Sequence, residues 1–398
     1  MLNKLLEQIA SRGMAWRYRS SLNRARTTQK PRILFCVNSL LMYAYVDRIW
    51  QAYRHKNAYD VYVSPSYSLT RQVACLRLLR DVKQKAEADG YTYLPALVSV
   101  ELEWQLLIAA EPVHFEGVCA WKRLMTDHSV IGFKRYNDDW YPYLHNYIYD
   151  SSGGFRYDTF LEASPLKYDY VTQRDPKLQD LIEVVGSLHV DDLLEQNAQR
   201  DAIRQSMGYA PSDRVLLVQS TYRESLVEDF GEALLIECNR LAEREGYHVI
   251  ISLHPHLWTG AYAEKHPWGQ IACRYESDRV RVRRPSETPT NALIASDIAL
   301  TDHTSHCINF ALLGKPMLFY LPRNGFQTTD VLQPLLDLYP RITSVEEIGD
   351  LLVRSAEQHD PDRLANVVRR YVGHPGQATE RINAVLDQLL SRKGGHAD

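Results

Sequence analysis

The stretch that decides the fold is residues 295–322, ASDIALTDHTSHCINFALLGKPMLFYLP. It contains two short apolar runs, 298–301 and 316–320, separated by a polar turn and an apolar segment of helical length. A strand, a helix and a second strand in that order predict one unit of a parallel α/β sheet. Upstream, the apolar run HVIISL at 248–253 predicts another strand of the same kind.

Polar side chains follow these strands at their carboxyl ends. Asp302, Thr304 and Ser305 come after the strand at 298–301, and His254 and His256 follow the upstream strand. Ligands of open α/β sheets bind outside the carboxyl ends of the strands, and hydroxyls at a helix N-terminus suit phosphate. The pattern therefore predicts one pocket for a phosphorylated donor. The alternative is that Asp302 only caps a helix.

The same residues resemble a known family. LHPH at 253–256, followed by 295–320, is similar to the C-terminal half of the CDP-glycerol glycerophosphotransferases. These are teichoic-acid and capsule-type polymerases and primases with a GT-B fold. The family's Asp-Tyr-Ser-Ser corresponds to residues 302–305, where His303 replaces the Tyr, and its Lys-Pro corresponds to Lys315 and Pro316. The resemblance implies an α/β fold with two Rossmann-like domains facing a cleft.

A second motif, WKRLMTDHSVIGFK at 121–134, resembles the family's N-terminal motif, in which a His serves as catalytic base. The matching residue is His128, followed by Gly132 and Lys134, although three residues separate His128 from the Gly. A lone His is also compatible with a structural or surface role. His114 and His145 are the neighbouring alternatives for the base.

Two further segments match the family. The loop STYRE at 220–224 resembles its Ala-Pro-Thr-Trp-Arg-Asp loop, with Arg223 as the matching Arg. A guanidinium at a strand end suits phosphate, and a salt bridge to a neighbouring acid is the alternative. The segment VVGSLHVD at 184–191 resembles the end of the family's first domain, with His189 in place of an Arg.

At 398 residues the chain is long enough for two domains. We predict a basic N-terminal segment at 1–32, a Rossmann-like acceptor domain at 33–205 and a Rossmann-like nucleotide-donor domain at 206–375. The hinge is expected near 195–212. Residues 376–398 are predicted as a helix that crosses back to the first domain, as in GT-B proteins. No GxGxxG follows the first strand, so a dinucleotide fingerprint is absent there.

The segment 1–32 carries eight Lys and Arg residues against one acid, Glu7, with apolar residues interleaved. Such a segment can make peripheral contact with an anionic membrane surface. The alternative is a solvated helix packed on the first domain.

Composition narrows the class of protein. The net charge of −3 gives no reason to expect nucleic acid as a partner. Six cysteines without a CxxC pair indicate free thiols in a reducing compartment. No apolar run approaches a membrane span, so a cytoplasmic protein is expected, peripheral at the inner face of the membrane if 1–32 binds lipid.

No GxSxG elbow supports nucleophilic hydrolysis. A metal site at His254 and His256 with Asp302 and His306 is the less favoured alternative, and we predict no metal and no cofactor.

Group transfer from a nucleotide diphosphate fits these residue types. A hydroxyl acceptor needs a general base, and the leaving nucleotide needs fixed donors. We expect His128 to deprotonate the acceptor, and His254 with Thr304 and Ser305 to hold the diphosphate. The predicted reaction transfers a glycerol phosphate unit from a CDP-activated polyol donor to a glycan or lipid-linked polymer acceptor. A nucleotide-sugar glycosyltransferase, an epimerase-like enzyme and a non-catalytic nucleotide-binding relative remain open.

Overall fold

The computed structural model describes residues 18–65, 76–110, 118–126, 148–150, 152–304, 306–322 and 333–391. These residues form two compact units, divided after Leu188 and again after Gly376. Unit 1 contains the described residues up to 188 together with those from 377 onward, and unit 2 contains 189–376. The segment 195–212, where the sequence led us to expect the hinge, belongs to unit 2.

The elements of unit 1, in chain order up to residue 188, are α1 (Arg19–Thr27), β1 (Arg32–Cys36), α2 (Leu40–Ala52), β2 (Asp60–Ser64), α3 (Leu76–Ala88), β3 (Thr92–Tyr93), α4 (Ala96–Ser99), β4 (Glu103–Ala109), β5 (Cys119–Thr126), β6 (Thr159–Glu162), α5 (Pro165–Arg174) and β7 (Ile182–Val184). The strands form one sheet in the order β3-β2-β1-β4-β5-β6-β7. All pairs are parallel. β1 and β4 are apolar and buried along most of their length, as expected for strands covered on both faces.

The elements that follow are α6 (Leu188–Asn197), α7 (Arg200–Ser206), β8 (Arg214–Ser220), α8 (Leu226–Phe230), α9 (Glu232–Glu245), β9 (Tyr247–Leu253), α10 (Ala261–Lys265), α11 (Trp268–Ala272), β10 (Val280–Val282), α12 (Pro289–Ala295), β11 (Ile298–Thr301), α13 (His306–Leu312), β12 (Met317–Tyr320), α14 (Gln333–Leu336), β13 (Arg341–Ile342), α15 (Ile348–Glu357), α16 (Pro361–Val368) and α17 (Ala378–Ser391). The second sheet, in unit 2, has the order β10-β9-β8-β11-β12-β13. Its pairs are also parallel.

The last helix, α17, belongs to unit 1 and contributes Ile382, Leu386 and Leu389 to its core. Asn383 anchors the helix to the end of α2. Its side-chain amide donates to Ala52 O at 2.8 Å and accepts from the Arg54 N–H at 2.8 Å. The C-terminal helix therefore supplies both apolar and hydrogen-bonding contacts to the domain that begins the chain.

The two parallel sheets confirm the predicted α/β class, but some local predictions were wrong. The apolar segment TYLPALVSV at 92–100 predicts a strand, yet only Thr92–Tyr93 is extended and α4 follows Pro95. β1 pairs with β2 on one side and with β4 on the other, and β4 was not among the predicted strands. The amphipathic pattern of residues 225–244 predicts one helix, but the structure has two, because Gly231 between them has a φ of 60°.

The basic N-terminal segment is described only from residue 18 onward. There α1 packs on unit 1 through Leu22 and Ala25, which are buried. The apolar residues on which the membrane interpretation depends lie outside the described residues. Within the described part of the chain, no helix has both the length and the apolar character that crossing a bilayer requires.

Candidate functional site

The strand order of unit 2 identifies where a ligand would bind. β8 and β11 are neighbours at the centre of the sheet. From β8 the chain continues outward to β9 and β10 on one side, and from β11 it continues outward to β12 and β13 on the other. In an open α/β sheet, the carboxyl ends of strands at such a switch point form a crevice for ligands. Thr221 follows β8 and Asp302 follows β11, so the sequence-predicted loops meet there.

Asp302 is completely buried, and protein donors surround its carboxylate. It accepts backbone N–H groups from Thr221 at 3.0 Å and Leu226 at 3.1 Å, and the Ser220 hydroxyl at 2.9 Å. Burial raises the pKa of Asp302 to about 6, against the opposing effect of these donors. The carboxylate thus holds the loop after β8 against β11 and caps α8.

The loop after β8 has an unusual backbone. Arg223 and Glu224 have φ values of 59° and 48°, a left-handed conformation that costs a non-glycine residue about 1 kcal/mol. The Arg223 guanidinium is exposed and lies 5.6 Å from the ring centre of Tyr222 and 5.8 Å from that of Tyr262. Among the described residues, no carboxylate lies within ion-pair distance of Arg223. Its charge is available to a ligand.

The end of β9 places two imidazoles beside that loop. The His254 ring lies 4.5 Å from Tyr222 and 4.9 Å from His256, and His256 lies 4.7 Å from Tyr222. His254 Nδ1 accepts the His256 backbone N–H at 3.1 Å, so the ring proton of the neutral imidazole is on Nε2. Burial, and then the nearby His256, lower the pKa of His254 to about 4. At neutral pH, His254 is an uncharged hydrogen-bond donor.

The turn after β11 leads into α13. Thr304 is half-buried, and its Oγ1 accepts the His306 backbone N–H at 3.4 Å, as in a helix cap. Ser305 lies outside the described residues, as do His128 and the two alternatives for the base, His114 and His145. The structure therefore brings together Arg223, His254, His256, Asp302 and Thr304 of the predicted set.

Arg283, at the end of β10, is a cation that the sequence analysis missed. Only 6% of it is exposed. Its guanidinium donates to Ser252 Oγ at 2.9 Å and to the carbonyl oxygens of Glu287 at 2.6 Å and Arg284 at 3.0 Å. Burial lowers its pKa. Since these acceptors are neutral, the charge of Arg283 is not cancelled by direct contact with a carboxylate.

Two more imidazoles lie near this cation. His306 Nδ1 is buried and has no hydrogen-bond partner among the described residues. Burial, followed by His189, Arg283 and His254, lowers the pKa of His306 to about 4. His189 Nε2 accepts from Asn309, one turn along α13 from His306, at 3.3 Å. We call His189, His254, Arg283 and His306 the basic cluster.

An acid near the basic cluster is paired with another cation. Glu287 acts electrostatically on Arg283, and its carboxylate forms an ion pair with Arg281 at 2.8 Å. At neutral pH an anion that entered this region would pair with the Arg283 guanidinium and accept a hydrogen bond from the uncharged His254 ring. One member of the basic cluster could have been found from the sequence, because His189 occupies the position of an Arg in the family pattern. Within the described residues, no group of three or more His, Cys, Asp or Glu could hold a metal ion, so the metal alternative gains no support there.

Comparison with known proteins identifies the family. The family model described as CDP-Glycerol:Poly(glycerophosphate) glycerophosphotransferase matches residues 156–383, more than half of the chain. The chain belongs to this family. Among curated proteins, the teichoic acid ribitol-phosphate primase of Bacillus spizizenii is 24% identical over 199 residues, 48% of this chain and 48% of the relative. The chain thus spans about half the length of the curated relative that it matches.

Solved structures of similar fold include the wall teichoic acid polymerase TagF, with 13% identity, a TM-score of 0.60 and 98% of each chain covered. A variant of TagF soaked with CDPG has 14% identity, a TM-score of 0.59 and the same coverage. A putative UDP-N-acetylglucosamine 2-epimerase from Listeria monocytogenes has 16% identity and a TM-score of 0.56, covering 92% of this chain and 99% of that one. At these identities the similarity confirms the GT-B-like fold alone.

Proposed function

We propose that this glycerophosphotransferase-family member transfers a polyol phosphate from a CDP-activated donor to a hydroxyl of a cell-surface polymer. Family membership supports the reaction class. For the residues of this chain, the proposal rests on the basic cluster, which lies beside the switch point of unit 2. Arg283 is a cation with no carboxylate in direct contact, and the neutral His254 ring is a hydrogen-bond donor, which are the groups that a diphosphate requires.

The proposed step breaks one phosphoanhydride bond and forms one phosphodiester bond. The acceptor oxygen attacks the phosphorus that carries the polyol, and CMP leaves with the electron pair of the broken P–O bond. The acceptor proton passes to a base, for which the family resemblance suggests His128. In this proposal His254 Nε2–H donates to the diphosphate, and Arg223 and Arg283 stabilise the charge that develops on CMP.

A thermal-shift and turnover screen tests the proposal. Purified full-length protein is tested with CDP-glycerol, CDP-ribitol and UDP-N-acetylglucosamine, each at concentrations up to 100 times its dissociation constant, where a ligand adds about 2.7 kcal/mol of stability. We expect a cytidine ligand to stabilise the protein and this effect to fall in His254→Ala and Arg283→Gln. His55→Ala, an exposed substitution in unit 1, is the matched control.

The other outcomes decide between the alternatives. A response to the uridine ligand alone would favour a nucleotide-sugar enzyme on the same fold. Stabilisation by CDP-glycerol without CMP release, in the presence of a polyol-phosphate acceptor, would favour a nucleotide-binding relative. No response to any nucleotide would reject the donor site.

A further inference from the structure

A cavity of about 340 Å³ lies entirely within unit 1. It is lined by the first residues of β2 and β3, Asp60 and Thr92, and by the ends of helices and connecting loops. It is therefore at the amino ends of the strands, whereas ligands of open α/β sheets bind at the carboxyl ends. Neither the family motifs nor the donor proposal assigns a role to these residues.

One of the lining residues has a buried hydroxyl. Tyr62 lines the cavity with only 1% of its surface exposed, and the Tyr62 hydroxyl has no hydrogen-bond partner among the described residues. A buried polar group without a partner costs about 1–3 kcal/mol. Arg24 and Asp60, which also line the cavity, act electrostatically on this hydroxyl. Because this hydroxyl is buried, a ligand that bonds to it must displace the side chains that cover it.

The cavity also has cations without acidic partners. Within the described part of the chain, the Arg24 guanidinium makes no hydrogen bond or ion pair. Lys30 Nζ donates to Asn57 O at 3.0 Å, and Lys56 Nζ donates to Gln51 Oε1 at 2.6 Å. These acceptors are neutral.

The acids that line the cavity are bound to other groups. The Asp60 carboxylate accepts the Thr28 hydroxyl, and the Asp89 carboxylate is held by Lys85 and Tyr43. The lining has three basic side chains, Arg24, Lys30 and Lys56, against these two acids, so positive charge exceeds negative charge by one.

Aromatic rings complete the lining, with Tyr59 and Tyr91 both half-buried. Ring faces pack against the carbon skeletons of polyols and sugars, cations pair with phosphate, and an unpaired hydroxyl can bond either. We propose that this cavity is a second binding site, which holds a phosphodiester-linked polyol chain on unit 1 while the donor binds on unit 2. The identification of this chain as acceptor polymer rests on the proposed function, but the binding itself does not.

Binding of a synthetic glycerol phosphate hexamer to the full-length protein tests the site by calorimetry at two salt concentrations. We expect Tyr62→Phe, which removes only the hydroxyl, to weaken binding about fivefold. Arg24→Gln is expected to weaken it about tenfold and to reduce its salt dependence. Arg19→Gln makes the same charge change at an exposed position of α1 outside the cavity, and should bind like the unaltered protein.

A second set of measurements distinguishes a polymer ligand from a lipid headgroup, because phosphatidylglycerol also presents a glycerol phosphodiester. Vesicles with and without that lipid are tested with the same variants. Binding to vesicles alone, lost in Arg24→Gln, would support the site and identify a lipid headgroup. Binding of neither probe, or binding that Tyr62→Phe and Arg24→Gln both leave unchanged, would overturn the proposal. The cytidine-ligand screen probes unit 2, so either proposal can fail alone.

Discussion

The carboxylate of Asp302 accepts the backbone N–H of Thr221, and this contact joins the ends of the two central strands of unit 2. It links the loop that carries Arg223 to the turn that carries Thr304. Because Asp302 also caps α8 through Leu226, one buried side chain sets the backbone of both donor-site loops.

Replacing Asp302 is expected to lower stability. Asp302→Ala leaves the Thr221 and Leu226 N–H groups without their acceptor, which should reduce the free energy of unfolding by about 2–3 kcal/mol. Urea denaturation measures this, and Asp278→Asn, at an exposed turn, is the control. Loss of less than about 0.5 kcal/mol would contradict the structural role.

The same carboxyl group should leave a signature in the pH dependence of stability. Its folded pKa of about 6 lies above the ordinary value of 3.8, so the folded protein binds this proton more tightly. The contribution of Asp302 therefore falls as pH rises from about 4 to about 6 and is constant above that. Subtracting the stability curve of Asp302→Asn from that of the unaltered protein isolates this slope. A flat difference curve would show that folding does not raise the pKa of the Asp302 carboxyl group.

A substitution at His254 can distinguish its contribution to stability from its contribution to donor binding. Asn at position 254 can still accept the His256 N–H, as helix-capping Asn residues do, but it lacks a donor at the position of Nε2. We expect His254→Asn to keep the melting temperature within about 2 °C, corresponding to less than about 1 kcal/mol. Stabilisation by CDP-glycerol should be largely lost. If His254→Asn bound the donor normally, the Nε2–H would not contact the diphosphate.

The basic cluster predicts that donor binding takes up protons. The pKa values of His254 and His306 are both about 4 without ligand, and a bound diphosphate should raise them. Affinity for CDP-glycerol should then increase as pH falls from 7 to 5, with uptake on the order of one proton at pH 6. Calorimetry in two buffers of different ionisation enthalpy measures the uptake. His306→Asn should reduce it, and zero uptake would place the diphosphate elsewhere.

The sequence predicted more of the fold than of the site. Apolar runs predicted β9, β11 and β12, because strands buried on both faces are continuously hydrophobic. Strand order, and hence the switch point, depends on pairing between distant segments, which no local pattern shows. Arg283 was missed for a similar reason: on a short strand of alternating Val and Arg it looks like a surface residue, and only the packing of unit 2 buries it.

The role of Lys315, a residue of the family motif, also depends on contacts that the local sequence does not show. The sequence marked Lys315 and Pro316 as part of a family pattern without assigning a role. In the structure, Lys315 Nζ donates to the carbonyl oxygens of Leu293, Ile294 and Ser296 at 2.9, 2.7 and 2.7 Å. These groups end α12, so the lysine serves as a C-terminal helix cap.

Removing that cap should destabilise unit 2. Lys315→Met keeps the length of the side chain but leaves three carbonyl groups without their donor, at an expected cost of about 2–3 kcal/mol of unfolding free energy. The exposed substitution Lys265→Met is the control, with an expected change below about 0.5 kcal/mol. Equal melting curves for the two variants would show that Lys315 does not stabilise α12.

Asn383 allows a sharper test of how α17 is held in unit 1. Asn383→Ala leaves the Arg54 N–H and the Ala52 carbonyl unpaired, so we expect a loss of about 2 kcal/mol. Asn383→Asp should be no better at pH 7, because a carboxylate accepts from Arg54 but cannot donate to Ala52. At pH 4 a protonated Asp can donate, and part of the loss should be recovered relative to Asn383→Ala. Denaturation at both pH values measures this, with the exposed Gln388→Ala on the same helix as control. If the Asp variant matched the unaltered protein at pH 7, the hydrogen bond to Ala52 would contribute nothing, and α17 would be held by its apolar face alone.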